Sequence, residues 1–246
     1  MIVMGVDIGG SGIKGAPVDT DTGEFIQDRI RIPTPEPSKP AEVARALNEL
    51  IQQFQWNGLV GCGFPSVVRA GKIYTAANID PQWIGVDAAA LFRKETGCSI
   101  IVLNDADVAG LAEMKFGAGR EWSHGVVIMI TLGTGIGSAI FTDGHLVPNT
   151  EFGHLQIRGK DAEKRASDAA RQSKDLSWKK WSARLNEYLA EIEKLFWPDL
   201  LIIGGGVSKE YKKFFPYLKT QAKVVPAMLL NNAGIVGAAL AGERAG

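Results

Sequence analysis

The feature that most constrains the fold is a short pattern of strand, glycine turn and strand that opens the chain. Residues 2–8 form a β-rich run, residues 9–12 read Gly-Gly-Ser-Gly, and residues 13–18 return as a second β-rich run. A polar turn then leads into residues 25–32, which would form a third strand. Glycine clusters between β-rich runs are typical of tight turns between strands. The pattern therefore predicts a three-stranded meander.

The same pattern returns in the second half of the chain. Residues 125–132 are β-rich, residues 133–137 read Gly-Thr-Gly-Ile-Gly, and residues 138–142 form the next strand, which Asp143-Gly144 would close as a hairpin turn. A spacing of about 120 residues is far longer than the repeats of solenoid proteins. We therefore predict a duplicated α/β fold with two lobes and a cleft between them.

Apolar spacing predicts the remaining elements, and it places the lobe boundary near residue 105. The expected lobes are residues 1–105 and 106–246, with a small-residue helix over residues 235–246 packing back on the first lobe. The further predicted elements are a helix over residues 43–54, buried strands over 59–64 and 100–104, a helix around residue 91 capped by Asp87, a helix over 105–116 and a buried strand over 200–203.

Composition limits the classes of partner. The chain of 246 residues has 27 basic and 27 acidic residues, so we expect no nucleic-acid or membrane partner. The chain has only two cysteines, Cys62 and Cys98, and residues 1–6 lack the basic start of a secretory signal. No apolar run approaches the ~20 residues of a membrane span. We expect a cytoplasmic protein.

The first glycine turn follows an acidic residue and precedes a lysine. Backbone N–H groups of the glycines can approach phosphate oxygens, and an adjacent carboxylate can hold hydrated Mg²⁺. An ordinary hairpin with a surface lysine would show the same residues. Residues 10–15 also match the dinucleotide fingerprint, but that site requires a helix where this sequence predicts a strand. The predicted phosphate-binding residues are Gly9, Gly10, Ser11, Gly12 and Lys14, with Asp7 near Mg²⁺.

The second glycine turn supplies the matching half of a phosphate site. Two such turns in equivalent positions could hold a phosphoryl donor from both sides. Two β-turns without a ligand would explain the glycines but not the threonines beside them. The predicted residues of this turn are Thr131, Gly133, Thr134 and Gly135.

Acidic side chains follow the buried strand at residues 100–104. Asp105 and Asp107 lie where a strand meets a helix, a place where aspartate commonly caps the helix. Ligands of open α/β folds bind at this same end of parallel strands. We therefore predict that Asp105 is a general base for a hydroxyl group. Glu151 and His154, three residues apart, can pair acceptor and donor for sugar hydroxyls.

Taken together, these motifs resemble the ROK family of sugar kinases, within the actin-like ATPase superfamily, and are most similar to its polyphosphate glucokinase branch. The resemblance covers nearly the whole chain and rests on six motifs in order. The motifs occupy residues 7–15, 63–65, 104–107, 132–137, 151–155 and 204–208.

The resemblance implies a two-lobed actin-like ATPase fold, which is ribonuclease H-like, and a homodimer. It implies that Asp105 accepts the proton of the sugar 6-hydroxyl. Further sugar contacts are implied for Asn104, Glu151, His154, Gly63, Phe64, Pro65, Ser66 and Asn78. It places the adenosine of a nucleotide at Gly204, Gly205 and Gly206.

One departure from the family concerns zinc. Many ROK proteins have a cysteine cluster that binds structural zinc after the Gly-His pair. Here Leu155 follows His154, and no cysteine occurs after Cys98. We therefore predict no zinc and expect His154 to contact the sugar.

A basic region is what most resembles the polyphosphate branch. Residues 156–223 hold fifteen basic and nine acidic residues in a chain whose total charge is zero. Such a run is also typical of solvated helix faces. The candidates for a polyphosphate track are Lys160, Lys164, Arg165, Lys174, Lys179, Lys180, Lys209, Lys212 and Lys213.

The expected function is a glucokinase that uses Mg²⁺ and transfers a phosphoryl group from polyphosphate, ATP or both. Two alternatives stay open on the sequence. One is an ATP-dependent kinase of another hexose, such as mannose or an N-acetylhexosamine. The other is an actin-like ATPase without a sugar acceptor.

Overall fold

The structure is a computed structural model that describes residues 1–77 and 79–243. Its strands are β1 (Ile2–Gly9), β2 (Gly12–Asp19), β3 (Ile30–Ile32), β4 (Leu59–Phe64), β5 (Val68–Arg69), β6 (Lys72–Ile73), β7 (Ser99–Asn104), β8 (Val126–Leu132), β9 (Ile136–Thr142), β10 (His145–Val147), β11 (Gln156–Ile157), β12 (Lys160–Asp161), β13 (Leu200–Gly204) and β14 (Lys223–Pro226). Its α-helices are α1 (Pro40–Gln53), α2 (Ala88–Thr96), α3 (Asp105–Phe116), α4 (Glu163–Ala166), α5 (Asp168–Ser173), α6 (Trp178–Phe196), α7 (Tyr211–Phe214) and α8 (Ala233–Glu243).

The chain divides into two compact units. Unit 1 comprises Met1–Ala112 and Asn232–Gly246, and unit 2 comprises Glu113–Asn231. The division falls inside α3, after Ala112, and not at the strand–helix junction at residue 105. The first half of α3 belongs to unit 1 because it packs closely on α8. A side chain added at Gly237 would lie 1.6 Å from the carbonyl oxygen of Val108.

Unit 1 is built on a five-stranded sheet in the order β3-β2-β1-β4-β7. Strands β1, β2 and β3 pair antiparallel, while β4 pairs parallel with β1 and β7 pairs parallel with β4. The predicted third strand over residues 25–32 was wrong in its extent, since β3 covers only Ile30–Ile32 and Phe25 makes an isolated bridge to Val18. Residues 26–29 are exposed, so no core holds them in a strand.

Unit 2 repeats this topology. Its sheet has the order β10-β9-β8-β13-β14, with an antiparallel meander followed by two parallel strands. The glycine turns lie between β1 and β2 and between β8 and β9, and Asp143-Gly144 connects β9 to β10. The predicted duplication is confirmed. Strand β2 follows the first glycine turn, so the dinucleotide fingerprint was correctly rejected.

Each unit has its own hydrophobic core. In unit 1, the alternating side chains of β1 that point to one face pack with α1 and α2, while α8 covers the other face. Asp87 caps α2, as predicted, by accepting a hydrogen bond from the N–H of Ala90 at 2.8 Å. In unit 2, the buried rings of Trp181 and Phe214 pack edge to face beside the sheet. Of the helices described, none is long and apolar enough to cross a lipid bilayer.

Candidate active site

In unit 1, the carboxyl ends of three parallel strands bring the predicted acidic residues to one edge of the sheet. Asp7 of β1 is in register with Gly63 of β4, and Phe64 of β4 is in register with Asn104 of β7. Asp105 follows directly as the first residue of α3. Ligands of open α/β sheets bind at this edge. The edge therefore groups the proposed metal, sugar and base residues of this unit.

Asn104 holds the start of α3 in place. Its side chain is buried, and its Oδ1 accepts hydrogen bonds from the N–H groups of Ala106 at 2.8 Å and Asp107 at 3.1 Å. Its Nδ2 donates to the carbonyl oxygen of Ser66 at 3.0 Å. These three bonds leave one amide hydrogen for a ligand, because an asparagine amide has two donor hydrogens. Asn104 thus positions the site as well as offering one contact.

Asp105 is partly exposed at the same edge. One carboxylate oxygen accepts a hydrogen bond from the N–H of Ala106 at 2.8 Å. The capping role that an aspartate commonly takes at this place belongs to its neighbour Asn104, which bonds two N–H groups of the first turn. Asp105 is therefore not required as the helix cap, which is compatible with a role as a base.

The turn at residues 63–66 is held by structural contacts. The Phe64 ring is buried and packs edge to face on Trp83, with centroids 4.7 Å apart, so the ring belongs to the core. The hydroxyl of buried Ser66 bonds the carbonyl and hydroxyl oxygens of Thr75. Sugar contacts from this turn would thus come from backbone groups and Pro65. The predicted contact Asn78 lies outside the described residues.

The first glycine turn carries two cations. Lys14 Nζ lies 3.4 Å from a carboxylate oxygen of Asp7 across the β1–β2 hairpin. Arg31 of β3, in register with Lys14, donates from Nη2 to the carbonyl oxygen of Ser11 at 2.6 Å. Sequence reasoning identified Lys14 but missed Arg31. The antiparallel register of β2 and β3 was the signal that would have found it.

The position of Asp7 suits contact with a hydrated magnesium ion through water better than direct coordination of the ion. Mg²⁺ is held by oxygen atoms and commonly keeps several waters while it bridges one or two carboxylates and phosphates. The Asp7 side chain is 21% exposed and shares its charge with Lys14. A partly exposed carboxylate beside a predicted phosphate-binding turn suits this arrangement.

In unit 2, the second glycine turn adjoins the Gly204–Gly206 segment. Thr131 at the end of β8 is in register with Gly204 at the end of β13. The turn closes with a hydrogen bond from the N–H of Gly133 to the carbonyl oxygen of Gly135 at 3.1 Å. The carbonyl oxygen of Gly133 accepts a bond from Ala169 at the start of α5, also at 3.1 Å. The predicted phosphate and adenosine residues of unit 2 thus lie at one sheet edge.

Glu151 and His154 also belong to unit 2, in a segment held on β9. Their side chains lie 3.9 Å apart, from Oε2 to Nε2. Burial raises the pKa of Glu151 above the ordinary carboxyl range; His154 opposes this shift and the charge of Glu163 adds to it. The Ser138 hydroxyl holds the segment by donating to the Thr150 carbonyl at 2.7 Å.

His154 has a second acidic neighbour. Its Nδ1 lies 3.6 Å from Asp161, and one ligand atom each of His154, Asp161 and Glu163 fall within 4.8 Å of one another. Asp161 is also engaged by Gln156 and by Lys164, the latter at 3.3 Å. Structural zinc sites use four ligands rich in cysteine or histidine, and this group offers three with one nitrogen. The absence of zinc stays a prediction.

Residues 3–169 match the sequence model of the ROK family. The chain belongs to the ROK family. The chain is 49% identical to the polyphosphate glucokinase of Mycobacterium tuberculosis (strain CDC 1551 / Oshkosh), over 96% of this chain and 89% of the relative. The resemblance predicted from the six motifs is confirmed.

Two solved structures extend the comparison of this ROK protein. It superposes on the inorganic polyphosphate/ATP-glucomannokinase of Arthrobacter sp. strain KM with a TM-score of 0.95 and 44% identity, over 100% of this chain and 99% of that one. It superposes on a ROK family glucokinase from Streptomyces griseus, solved with glucose and AMPPNP, with a TM-score of 0.84 and 26% identity. That match covers 99% of this chain and 100% of the other. The two-lobed actin-like ATPase fold is confirmed.

Proposed function

We propose that this ROK protein is a glucokinase that transfers a phosphoryl group from inorganic polyphosphate, ATP or both to the 6-hydroxyl of glucose. The observation that carries the proposal is the position of Asp105, a partly exposed carboxylate at the carboxyl edge of parallel strands, beside a glycine turn and a second carboxylate. The names of the M. tuberculosis and Arthrobacter relatives support the choice of donor and acceptor.

The roles of the residues follow from phosphoryl transfer. The protein supplies position and charge, with little covalent chemistry. Asp105 accepts the proton of the sugar 6-hydroxyl. The oxygen of that hydroxyl attacks the terminal phosphorus of the donor, and the bond between this phosphorus and the remaining phosphates of the donor breaks. Asn104, Glu151 and His154 bind other sugar hydroxyls, and Gly63, Pro65 and Ser66 add backbone contacts. These sugar contacts are part of the proposal.

The donor side of the proposal uses the two glycine turns. Backbone N–H groups of the Gly9–Gly12 turn and of Thr134 and Gly135 in the second turn bind phosphate oxygens, with Lys14 and Arg31 as nearby cations. Gly204–Gly206 receives the adenosine when ATP is the donor. Mg²⁺, held by Asp7 through water, neutralises charge on the donor phosphates when bound.

The deciding experiment compares donors and acceptors with purified protein. Glucose 6-phosphate is measured with long-chain polyphosphate, with ATP and without donor. We expect product with at least one donor and none without. ATP hydrolysis that is independent of sugar would instead support the actin-like ATPase alternative. Faster turnover of mannose or an N-acetylhexosamine than of glucose would support a kinase of another hexose.

The role of Asp105 has its own test. Asp105→Asn keeps an oxygen for the N–H of Ala106 but removes the base, so we expect kcat to fall about 10²- to 10⁴-fold with the fold intact. The matched control is Asp28→Asn, at an exposed loop position. Near-normal turnover by Asp105→Asn would remove Asp105 from this role.

Location and assembly are also part of the proposal. We propose that the protein works in the cytoplasm as a homodimer, with no nucleic-acid partner. Light scattering coupled to size-exclusion chromatography, at concentrations around the assay concentration, measures the mass of the species. A mass of one chain throughout would contradict the dimer.

A further inference from the structure

A group of cations in unit 2 is held together by the elements that follow the second glycine turn. We define the basic cluster as Lys160, Arg165, Lys174 and Arg184. They come from β12, α4, the residue after α5, and α6 respectively. Strand β12 and helices α5 and α6 each pack on α4, which brings the segments that carry these four residues into one region.

Hydrogen bonds hold two of the four side chains, those of Lys174 and Arg165. Lys174 Nζ donates to the carbonyl oxygen of Lys164 at 2.7 Å, which ties the end of α5 to α4. Arg165 Nη2 donates to Glu187 of α6 at 2.7 Å. Arg184 lies three residues before Glu187 and therefore on the same side of α6. The cluster is thus a product of the local fold.

The cluster holds more positive charge than its neighbours neutralise. Across residues 1–77 and 79–243, no ion pair involves Lys160, Lys174 or Arg184. Glu187 pairs with Arg165 but also with Arg158, at 2.8 Å. The Nε of Arg165 is buried with no hydrogen-bond partner. A folded protein that keeps unpaired cations together is suited to an anionic ligand.

The pKa of Lys174 is lowered, which agrees with an excess of positive charge around this side chain. Slight desolvation of this exposed side chain is the largest cause that lowers the pKa of Lys174, and the positive charges of Arg184, Lys160 and Arg165 lower it further. The three charges act on Lys174 because they lie near it. A bound anion would relieve this repulsion.

The cluster continues from the phosphate-binding turn. The N–H of Ala169 bonds the carbonyl oxygen of Gly133, so α5 starts at the turn. Six residues of helix rise about 9 Å, and Lys174 follows the last of them. The Gly204–Gly206 segment adjoins the turn through β13 instead. The basic cluster and the Gly204–Gly206 segment thus adjoin the second glycine turn through different elements, α5 and β13.

We propose that the basic cluster binds internal phosphates of a long polyphosphate chain whose terminal phosphate lies at the second glycine turn. The proposal rests on the proposed function and deepens it, because it assigns four particular residues to the non-reacting part of one donor. Of the wider basic region, Lys164 and Lys213 are paired with Asp161 and Glu210, which makes them weaker candidates. The expected consequence is a preference for long chains over short ones.

The test is the double variant Lys174→Gln/Arg184→Gln, assayed with three donors. We expect the KM for long-chain polyphosphate to rise about tenfold, because two exposed charge contacts are lost. The KM values for ATP and for tripolyphosphate and all three kcat values are expected to stay within twofold. The matched control is Lys194→Gln/Lys219→Gln, two exposed lysines outside the cluster, with no change for any donor.

Binding without turnover separates the two proposals. Equilibrium dialysis measures the affinity of Asp105→Asn protein for long-chain polyphosphate, with and without the double substitution. The difference between the two affinities is the contribution of the basic cluster to binding. If the unmodified protein uses polyphosphate and the double variant has the same KM for long-chain polyphosphate, the role of the basic cluster is overturned. The proposed glucokinase activity is unaffected by that result. No polyphosphate binding or use, with ATP turnover intact, would overturn both the cluster and the polyphosphate donor. Equal binding of single-stranded RNA would overturn the assignment to polyphosphate.

Discussion

At the scale of single residues, Asn104 connects two parts of the chain that the sequence keeps apart. Its amide bonds the turn at Ser66, 38 residues away, and caps α3. Asp105, the proposed base, directly follows this anchored residue at the start of α3. A buried side chain that satisfies three backbone groups contributes to stability and to geometry at once.

Asn104→Ala removes all three bonds and leaves the buried carbonyl of Ser66 without its donor. We expect the free energy of unfolding to fall by about 2 to 3 kcal/mol, combining a lost helix cap and a lost buried hydrogen bond. Urea unfolding followed by circular dichroism measures it. The control Asn48→Ala, at a half-exposed position of α1, should change stability by less than about 0.5 kcal/mol. Equal losses in both variants would contradict this account.

In its proposed role as a sugar ligand, Glu151 would make the binding of glucose depend on pH. Burial holds its pKa above the ordinary carboxyl value, so the acceptor form is lost earlier as the pH falls. We expect the KM for glucose to rise on acidification towards this raised pKa. The ionised carboxylate also costs stability at neutral pH, and that cost disappears as the pH falls through the folded pKa.

Two variants check the assignment to Glu151. Glu151→Gln should have a higher KM for glucose that no longer changes over this pH range. Glu163→Gln removes a charge that raises the pKa of Glu151, so its KM should start to rise at a lower pH than in the unmodified protein. The measurement is the KM for glucose across the range at saturating donor. An unchanged pH profile in Glu151→Gln would assign the titration to another group.

At the scale of elements, Ser138 of β9 holds the segment that carries Glu151 and His154, which is proposed to bind sugar. Its hydroxyl donates to the Thr150 carbonyl and accepts from the N–H of Phe152 at 3.0 Å. Ser138→Ala removes both bonds, and we expect a loss of about 1 to 2 kcal/mol in stability. The KM for glucose should rise about threefold or more with kcat nearly unchanged, because Glu151 loses its support while Asp105 does not.

The matched control for Ser138 is Ser208→Ala. The Ser208 hydroxyl makes a comparable bond, to the Gly205 carbonyl at 2.8 Å, in the segment proposed for the nucleotide. Its loss should affect the KM for ATP and leave the KM for glucose unchanged. A rise in the glucose KM in both variants would mean that general destabilisation, and not the segment itself, causes the effect.

Elements whose signals are local were predictable from the sequence. Both glycine turns and the Asp87 cap depend on neighbouring residues, and the structure has them where expected. The strand over residues 25–32 failed because its apolar residues Phe25 and Ile26 lack a core to cover, which only the packing decides. The hydrogen bond from Arg31 to the carbonyl oxygen of Ser11 was missed for a similar reason, because it depends on the register of β2 and β3.

The candidate site was predictable in its residue types and less so in its connections. Motif spacing pointed to Asp105, Glu151 and His154, because their chemistry is visible in the side chains. The cap made by Asn104 depends on Ser66, which is remote in sequence, and the cluster around Lys174 depends on how α4, α5 and α6 pack. Long-range contacts of this kind leave no periodic trace in the sequence.

At the scale of the whole molecule, the chain leaves unit 1 within α3, builds unit 2 and returns to unit 1 as α8. Helix α8, the last in the chain, therefore covers one face of the sheet formed by the first strands. Its backbone lies so close to the sheet that a side chain added at Gly61 of β4 would lie 1.7 Å from the carbonyl oxygen of Ala238. Thr20 also bonds Glu243 of α8, at 2.7 Å.

Gly61→Ala tests whether this return holds unit 1 together. The added methyl group cannot fit unless α8 moves away from β4, because the contact is with backbone and not with a flexible side chain. We expect the free energy of unfolding to fall by at least about 3 kcal/mol, with α8 amides losing hydrogen-exchange protection first. Gly206→Ala, where nothing lies within 4 Å of the added carbon, is the control for stability. If hydrogen-exchange protection is lost equally over both units, the two sheets unfold together. If protection persists in β8 and β13, unit 2 keeps its own core when α8 is displaced.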